Sequence, residues 1–178
     1  MLHAVLASVL LGVISTLGDF VWAHWQVRHR VVYGLIHGAA ICLCIGAVIG
    51  ARWRQPAAGA AVGPLIGVLA ATSFYLLAPL LRYSAMFPAW MLFWICFGLL
   101  QARLSRVGTP KEALVRGVIA AAASGLAFYL VSDMWTRPSP GGPDYAGNLV
   151  RWTVAFLPGF VALFWHPVRA NRDVQAYH

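Results

Sequence analysis

The sequence predicts an all-α polytopic membrane protein, built as a bundle of six transmembrane helices with both termini in the cytoplasm. Of its 178 residues, 61% are hydrophobic and only 10% are charged, whereas a soluble domain is about 45–50% apolar and about 25% charged. Uncharged apolar runs of roughly 20 residues, the length that a bilayer core requires, recur along the chain. We therefore expect residues 1–178 to form a single transmembrane domain.

The runs between charged residues predict the position of each helix. Thr109 and Glu112, on either side of Pro110, predict a capping box at the start of the fifth helix. The Pro-, Gly- and Ser-rich residues 136–147 predict an irregular loop without a helix. In chain order, the helices are expected at residues 4–22, at 31–51, within 55–81, at 83–102, at 118–132 with an extension through Ala113 and Leu114, and at 152–167.

The cations between the runs predict the orientation of the bundle. Because cytoplasmic loops carry the excess of Lys and Arg, the N-terminus is placed on the side with eight cations and not on the side with five. The net charge of +8 does not indicate a nucleic-acid partner, since the cations lie singly or in pairs between apolar runs. The inner cations are Arg52, Arg54, Arg103, Arg106, Lys111, Arg116, Arg169 and Arg172, and the outer ones are Arg28, Arg30, Arg82, Arg137 and Arg151.

Asp19 is the least expected polar residue in the predicted helices. A carboxylate deep in a bilayer costs up to about 2.5–3.5 kcal/mol, so this side chain is expected to face protein, water or the interface. One interpretation is a polar anchor for a ligand headgroup, or a proton site. The other is an interfacial residue that pairs with Arg28, His24 or a neighbouring helix. Asp133, at the outer end of the fifth helix, is interpreted as an interfacial residue.

The sequence predicts no catalytic residue, no metal site and no cofactor. His24 and His29 are five positions apart and cannot share a helical face as ligands four apart would, while His37 stands alone in the second helix. The three cysteines form neither a zinc pattern nor a disulfide framework. The usual hydrolase, ATPase and dinucleotide-binding motifs are missing from the sequence.

A cleft for a hydrophobic ligand is predicted among the second, third, fourth and fifth helices. Small residues at helical spacing, such as Gly34 and Gly38, favour close helix packing, and prolines inside the runs splay helix ends. An aromatic wall with few polar groups suits a hydrophobic ligand with one small polar end, although core packing or lipid contact would also explain the aromatic residues. The predicted ligand-binding residues are Phe74, Tyr75, Trp90, Trp94, Gln101 and Phe128, with Asp19 and His37 as further polar contacts.

Four segments together resemble one family of membrane proteins. GAAICLCIGAVIGARWRQP at residues 38–56 is similar to the second Insig span, a Gly- and Ala-rich stretch that ends in an arginine and then a proline. ICFGLLQARLSRVG at residues 95–108 and GVIAAAASGLAFYLV at residues 117–131 resemble the fourth and fifth Insig spans with their basic turn. PDYAGNLVRWTVAFLPGF at residues 143–160 resembles the entry to the last Insig span.

The resemblance implies a compact bacterial Insig homologue in the inner (plasma) membrane. Its expected function is lipid or sterol sensing, with diacylglycerol or a sterol-like molecule held in a pocket between the helices and no enzyme activity. The expected partners are membrane lipids, with a membrane protein or a second copy of the chain also open. Two features depart from animal Insigs, because the acidic residue at the cytoplasmic end of the fourth span is replaced around Arg103 and Leu104, and the long polar N-terminal tail is missing. Sterol-dependent partner binding is therefore in doubt.

Two other functions stay open at this point. Six spans in a short chain also suit the substrate-binding membrane subunit of a vitamin importer, although the outer loops offer no polar cluster for a vitamin. A lipid-modifying membrane enzyme would need Asp19, His24 and Asp133 to converge at the outer interface, which the predicted topology allows. The sequence alone does not decide between a binding protein and these two.

Overall fold

The computed structural model describes residues 1–24, 29–106, 108–131 and 144–165. Within these ranges the chain is all-helical, which confirms the predicted all-α class and its six long helices, and each of these helices is long and apolar enough to cross a membrane. A short 3-10 helix, Arg82–Ala85, joins the third helix to the fourth. The α-helices are α1 (Leu2–His24), α2 (Arg30–Arg52), α3 (Pro56–Leu81), α4 (Met86–Ser105), α5 (Pro110–Val131) and α6 (Tyr145–Phe164).

Local sequence signals explain several of the helix ends. The capping box predicted for α5 is confirmed, since the Thr109 N–H donates to Glu112 Oε2 and the Glu112 N–H donates to Thr109 Oγ1, each over 3.2 Å. Pro56 occupies the first turn of α3, where its missing N–H costs no hydrogen bond. Arg106 ends α4 in a left-handed conformation with φ of 55°.

The start of α6 differs most from the sequence prediction. The helix begins at Tyr145, because the Asp144 carboxylate caps it by accepting a hydrogen bond of 2.8 Å from the Gly147 N–H. The prediction placed the start at residue 152 because it treated Arg151 as a loop cation, but Arg151 lies in the helix and pairs with Asp144 at 3.5 Å. Residues 145–147 are therefore helical, and the prediction of a loop there is wrong; residues 136–143 lie outside the described residues.

The starts of two further helices compare with the prediction as follows. α5 starts at Pro110, where the capping box predicts it and three residues before the predicted extension through Ala113 and Leu114, so that Lys111 and Arg116 lie in its first two turns. α4 starts at Met86 and not at residue 83, because the 3-10 helix precedes it. The other helices lie within a few residues of the predicted runs.

The six helices pack as a ring in which each helix runs antiparallel to its neighbours. In space α1 packs on α6, α6 on α5, α5 on α4, α4 on α3 and α3 on α2, and α4 also contacts α2 and α6 across the ring. α1 and α2 close the ring, and they pack less closely on each other than the other pairs of adjacent helices do. The seam between α1 and α2 is thus the least closely packed one in the ring.

Glycines bring the α2 and α3 backbones into direct contact, as the small-residue spacing predicts. A Cβ atom added at Gly46 would overlap the Gly59 carbonyl, and one added at Gly63 would overlap the Cys42 carbonyl. Backbones approach this closely only where no side chain lies between them. This seam is therefore the closest helix contact in the part of the bundle described.

The core of the bundle is an aromatic stack between α4 and α6. Trp94, Phe97 and Phe160 are completely buried, and Gly159 leaves the space that the Trp94 indole fills. Two side chains tie α6 to its neighbours: Gln101 Nε2 of α4 donates to the Leu163 carbonyl over 2.7 Å, and Ser124 of α5 donates to the Ala155 carbonyl over 2.5 Å.

The two ends of the bundle differ in chemistry. One end, which we call the cavity end, carries the last turn of α1, the first turn of α2, the 3-10 helix and the first turn of α6. The opposite end, which we call the basic end, carries the connections between α2 and α3 and between α4 and α5. Its cations among the described residues are Arg52, Arg54, Arg103, Arg106, Lys111 and Arg116.

Candidate functional site

A cavity of about 230 Å³ lies between five of the six helices, towards the cavity end. α1, α2, α3, α4 and α6 contribute to its wall, whereas α5 contributes no lining residue. The wall is largely apolar and it is lined by Ser15, Gly34, His37, Gly38, Ile41, Cys42, Gly67, Ala70, Ala71, Phe74, Tyr75, Met86, Ala89, Trp90, Phe93, Trp152 and Phe156.

Aromatic rings form one continuous side of the cavity. The Trp90 ring stacks on Phe93 and on Phe156, with centroids 5.9 and 5.4 Å apart. Trp152 continues the stack from Phe156 at 5.9 Å. Such contacts hold large flat side chains in place at little conformational cost, so this side of the cavity is a preformed apolar surface.

Two buried polar atoms in the wall have no hydrogen-bond partner among the described residues. They are Ser15 Oγ and Trp90 Nε1. The lack of a hydrogen bond at Ser15 Oγ is unusual in α1. Ser8 and Thr16 of the same helix each donate to the carbonyl four residues earlier over 2.7 Å. An unsatisfied buried polar group costs about 1–3 kcal/mol, and both groups belong to residues of the cavity wall.

His37 and Tyr33 hold α1 and α2 together beside the cavity. The two rings stack with centroids 5.7 Å apart, and Tyr33 Oη donates a hydrogen bond of 2.6 Å to the Gly18 carbonyl. Gly18 permits this contact because a Cβ atom there would overlap the His37 ring. The imidazole of His37 thus lines the cavity as a third polar group.

Asp19 anchors the polar groups of α6 next to the cavity. Its Oδ2 atom accepts hydrogen bonds from Trp152 Nε1 at 2.9 Å and from Asn148 Nδ2 at 3.2 Å. Arg151 in turn donates to Asn148 Oδ1 over 3.0 Å. Asp19 therefore pairs with a neighbouring helix, one of the two interpretations that its sequence context allowed, and it orients the Trp152 ring in the cavity wall.

The structure brings together half of the residues predicted to bind a ligand. Phe74, Tyr75, Trp90 and His37 all line the cavity, and Asp19 reaches it through Trp152. The wall extends beyond the predicted region between the second and fifth helices, since it includes α1 and α6 and omits α5.

Trp94, Gln101 and Phe128 do not line this cavity. Trp94 lies in the core stack with Phe160, at a centroid distance of 5.5 Å, and Gln101 is bonded to α6 near the basic end. Phe128 of α5 is packed behind the wall, since its ring lies 5.7 Å from Trp90. Helical periodicity placed these residues on inward faces, but it does not say which neighbour each face meets.

Sequence reasoning missed Ser15, Trp152 and Phe156 as lining residues. Ser15 lies on the same face of α1 as Leu11 and Gly18, all of them buried, and a hydroxyl on such a face was a readable signal. Trp152 was assigned to the membrane interface because α6 was expected to start there. Its position in the third turn of α6 depends on the Asp144 cap.

The side chains that a lipid-modifying enzyme would need either bond to other groups of the bundle or lie outside the described residues. His24 Nδ1 lies 3.0 Å from the Phe20 carbonyl and 3.2 Å from Tyr145 Oη, while Asp19 bonds to α6. Asp133 and Arg28 lie outside the described residues. Within the described ranges, no three His, Cys, Asp or Glu side chains are grouped closely enough to hold a metal ion.

Comparison with known proteins does not identify the chain. No protein-family model, curated protein or solved structure matches it. The resemblance to Insig proteins therefore stays a prediction from the sequence.

Proposed function

We propose that this protein is a membrane-inserted, non-enzymatic binding protein that holds a neutral lipid in the cavity among α1, α2, α3, α4 and α6. The observation that carries the proposal is the pair of unpartnered polar atoms, Ser15 Oγ and Trp90 Nε1, in an otherwise apolar wall. Six helices long and apolar enough to span a membrane support the location.

The unpartnered atoms define the polar end of the ligand. An indole N–H can only donate a hydrogen bond, and a serine hydroxyl can donate and accept one. The matching group is an uncharged oxygen, as in a hydroxyl or an ester carbonyl. A charged ligand group would lose its hydration in this wall without an opposite charge to compensate, since Asp19 already accepts two hydrogen bonds from α6.

The size of the cavity favours a lipid that enters only in part. Its volume of about 230 Å³ exceeds the roughly 150 Å³ that holds a benzene molecule but falls below the roughly 300–1,000 Å³ of pockets that enclose a whole drug-sized ligand. The glycerol and ester groups of a diacylglycerol fit this space, and the flexible chains extend outwards along the loosely packed seam between α1 and α2. A sterol fits this arrangement less well, because its rigid fused rings cannot bend from the cavity into the seam.

Selectivity in such a site comes from the polar contacts. A lipid that leaves a bilayer for the cavity exchanges one apolar environment for another, so burial adds little free energy. The hydrogen bonds to Ser15 and Trp90, together with shape fit to the rings, must supply the difference. Selectivity that depends on a few polar contacts supports a sensor that responds to one neutral lipid class. This is the function that the Insig resemblance predicts.

The charges support an orientation with the basic end in the cytoplasm of a bacterial cell. Six described cations stand at that end, and Lys and Arg are enriched in cytoplasmic loops. α1 begins at the basic end and α6 finishes there, so the proposed orientation has both of these helix ends on the cytoplasmic side.

Native mass spectrometry of the protein in a mild detergent, with lipid extraction of the same sample, tests the proposal. We expect one retained neutral lipid that survives detergent exchange, with a mass in the diacylglycerol range. No retained lipid would contradict the proposal, and a retained polar vitamin would favour the importer subunit instead.

A matched pair of serine variants in α1 tests the observation that carries the proposal. Ser15→Ala is expected to weaken binding of dioctanoylglycerol about fivefold to tenfold, because one hydrogen bond of about 1–1.5 kcal/mol is lost. Ser8→Ala removes an equal group that bonds within its own helix, and it should leave the affinity unchanged. Equal effects of the two variants would argue against a ligand at Ser15.

A further inference from the structure

A second cleft, of about 530 Å³, lies at the basic end between α3 and α4. It shares no lining residue with the cavity described above. Its wall combines an apolar side with two guanidinium groups, and its lining residues are Gln55, Ala58, Val62, Leu100, Arg103, Leu104 and Arg106.

The apolar side of the cleft is a groove between two helices. Ala58 and Val62 are four residues apart on α3, and Leu100 and Leu104 are four apart on α4, so each pair forms a ridge along its helix. Gln55 joins the two helices where they meet, since its Nε2 atom donates to the Leu104 carbonyl over 3.1 Å. The groove therefore has an apolar floor, which an acyl chain requires.

The charged side of the cleft lacks a compensating anion. Arg103 and Arg106 belong to the last turn of α4 and to its C-terminal cap, and within the described residues neither forms an ion pair with a carboxylate. Glu112 is the one acidic side chain described at this end, and its carboxylate accepts a hydrogen bond from the Thr109 N–H. Two exposed guanidinium groups close together form a typical phosphate-binding arrangement.

We infer that this cleft binds one anionic phospholipid, with its phosphate at Arg103 and Arg106 and one acyl chain along the groove between α3 and α4. A soluble phosphate would leave the apolar ridges unused, whereas a phospholipid matches both sides of the cleft. The inference goes beyond the proposed function and shares with it only the membrane location. The ligand class differs, since the first cavity takes a neutral lipid and this cleft takes an anionic one.

A charge variant with a matched control tests the phosphate contact. We would titrate dioleoyl phosphatidylglycerol onto the detergent-solubilised protein and count bound lipids by native mass spectrometry. The double variant R103Q/R106Q should weaken binding about 25-fold, the product of about fivefold for each basic residue. The double variant K111Q/R116Q removes the same charge from the same end but outside the cleft, and its affinity should stay within about twofold.

Each other outcome of the titration would overturn the inference. Equal losses in the two double variants would mean that the general positive field, and not the cleft, attracts the lipid. Equally tight binding of dioleoyl phosphatidylcholine would remove the role of net negative charge. Competition by glycerol 3-phosphate at the same concentration as the phospholipid would show a soluble phosphate site without an acyl-chain contact.

A steric variant tests the acyl-chain groove without changing any charge. Val62→Trp fills the groove and should abolish retention of phosphatidylglycerol, while Leu65→Trp places the same ring on an exposed face of α3 outside the cleft and should not. Unchanged retention in Val62→Trp would overturn the inference. The neutral lipid in the first cavity is read in the same spectra, so a failure of the proposed function is distinguishable from a failure of this one.

Discussion

The α2–α3 pair near the basic end and the same pair near the cavity end show how one kind of residue builds two kinds of structure. Near the basic end, Gly46 faces the Gly59 carbonyl, and the two backbones touch. Near the cavity end, Gly34 faces the Tyr75 ring. Where a glycine faces backbone, the two helices pack in direct contact. Where a glycine faces an aromatic ring, that side chain lies between the helices and separates them.

The polar groups outside and inside the cavity wall also differ in their surroundings. Outside the wall, Gln101 and Ser124 donate to carbonyls of α6, although Arg52 Nε and Trp94 Nε1 are buried without a hydrogen-bond partner among the described residues. In the wall, Ser15 Oγ and Trp90 Nε1 are in the same state. Buried polar groups are normally satisfied, and only this second pair belongs to residues that line the cavity.

The largest expected effect comes from substituting glycines in the two regions. Gly46→Ala should lower the free energy of unfolding by about 1–3 kcal/mol, because the new Cβ meets a carbonyl that cannot move aside. Gly34→Ala should cost less, since the Tyr75 side chain can rotate and alanine favours the helix by about 1 kcal/mol. Thermal unfolding in detergent measures both variants, and a greater loss in Gly34→Ala would break the comparison.

The next effect separates two buried tryptophans of α4. Trp90→Phe should weaken binding of dioctanoylglycerol about tenfold, because the unpartnered indole N–H of a residue in the cavity wall is removed. Trp94→Phe is the matched control, since its indole is buried in the core stack and does not line the cavity. It should reduce stability and leave the lipid affinity nearly unchanged. A ligand effect of equal size in both variants would show that packing, and not the N–H donor, determines affinity.

A smaller effect is expected at Asp19, which acts on the cavity through Trp152. Asp19→Ala should weaken lipid binding about fivefold, since the Trp152 ring loses the acceptor that orients it. Asp19→Asn retains an oxygen acceptor and should restore most of the affinity. Isothermal or mass-spectrometric titration distinguishes this positioning role from a proton site, for which the asparagine variant would be as defective as alanine.

The smallest effect on the ligand is expected at Gln101, although the sequence placed this residue among the binding candidates. Gln101→Leu should change lipid affinity by less than about twofold, because distant sites act independently. The same variant should lower the melting temperature, since the Leu163 carbonyl loses its donor. A strong loss of lipid binding without a stability change would move the ligand site towards the basic end.

Much of the fold is predictable from local features of the sequence. Apolar runs bounded by charges predict six helices, and the Thr109–Glu112 capping box predicts the start of α5, because both signals act over a few residues. The start of α6 was missed because a charged residue was taken as the end of an apolar run. The prediction treated Arg151 as a loop cation, whereas it lies in α6 and pairs with Asp144 two turns earlier.

The candidate site is only partly predictable. Phe74, Tyr75, Trp90 and His37 were identified from composition and periodicity, and all four line the cavity. Ser15, Trp152 and Phe156 come from α1 and α6, which lie far from the middle helices in sequence. Their part in the wall depends on the order of the helices around the ring, and local patterns carry no information on that order.

By itself the sequence determined the helical class, the six long apolar helices and the cations between them, because hydropathy and helix capping depend on neighbouring residues. Only the tertiary structure decided which inward faces meet. It placed Trp94 in a filled core and Trp90, one turn away, at a cavity. The physical reason is that a cavity is the space left over when five helices pack, so its position depends on every helix contact at once.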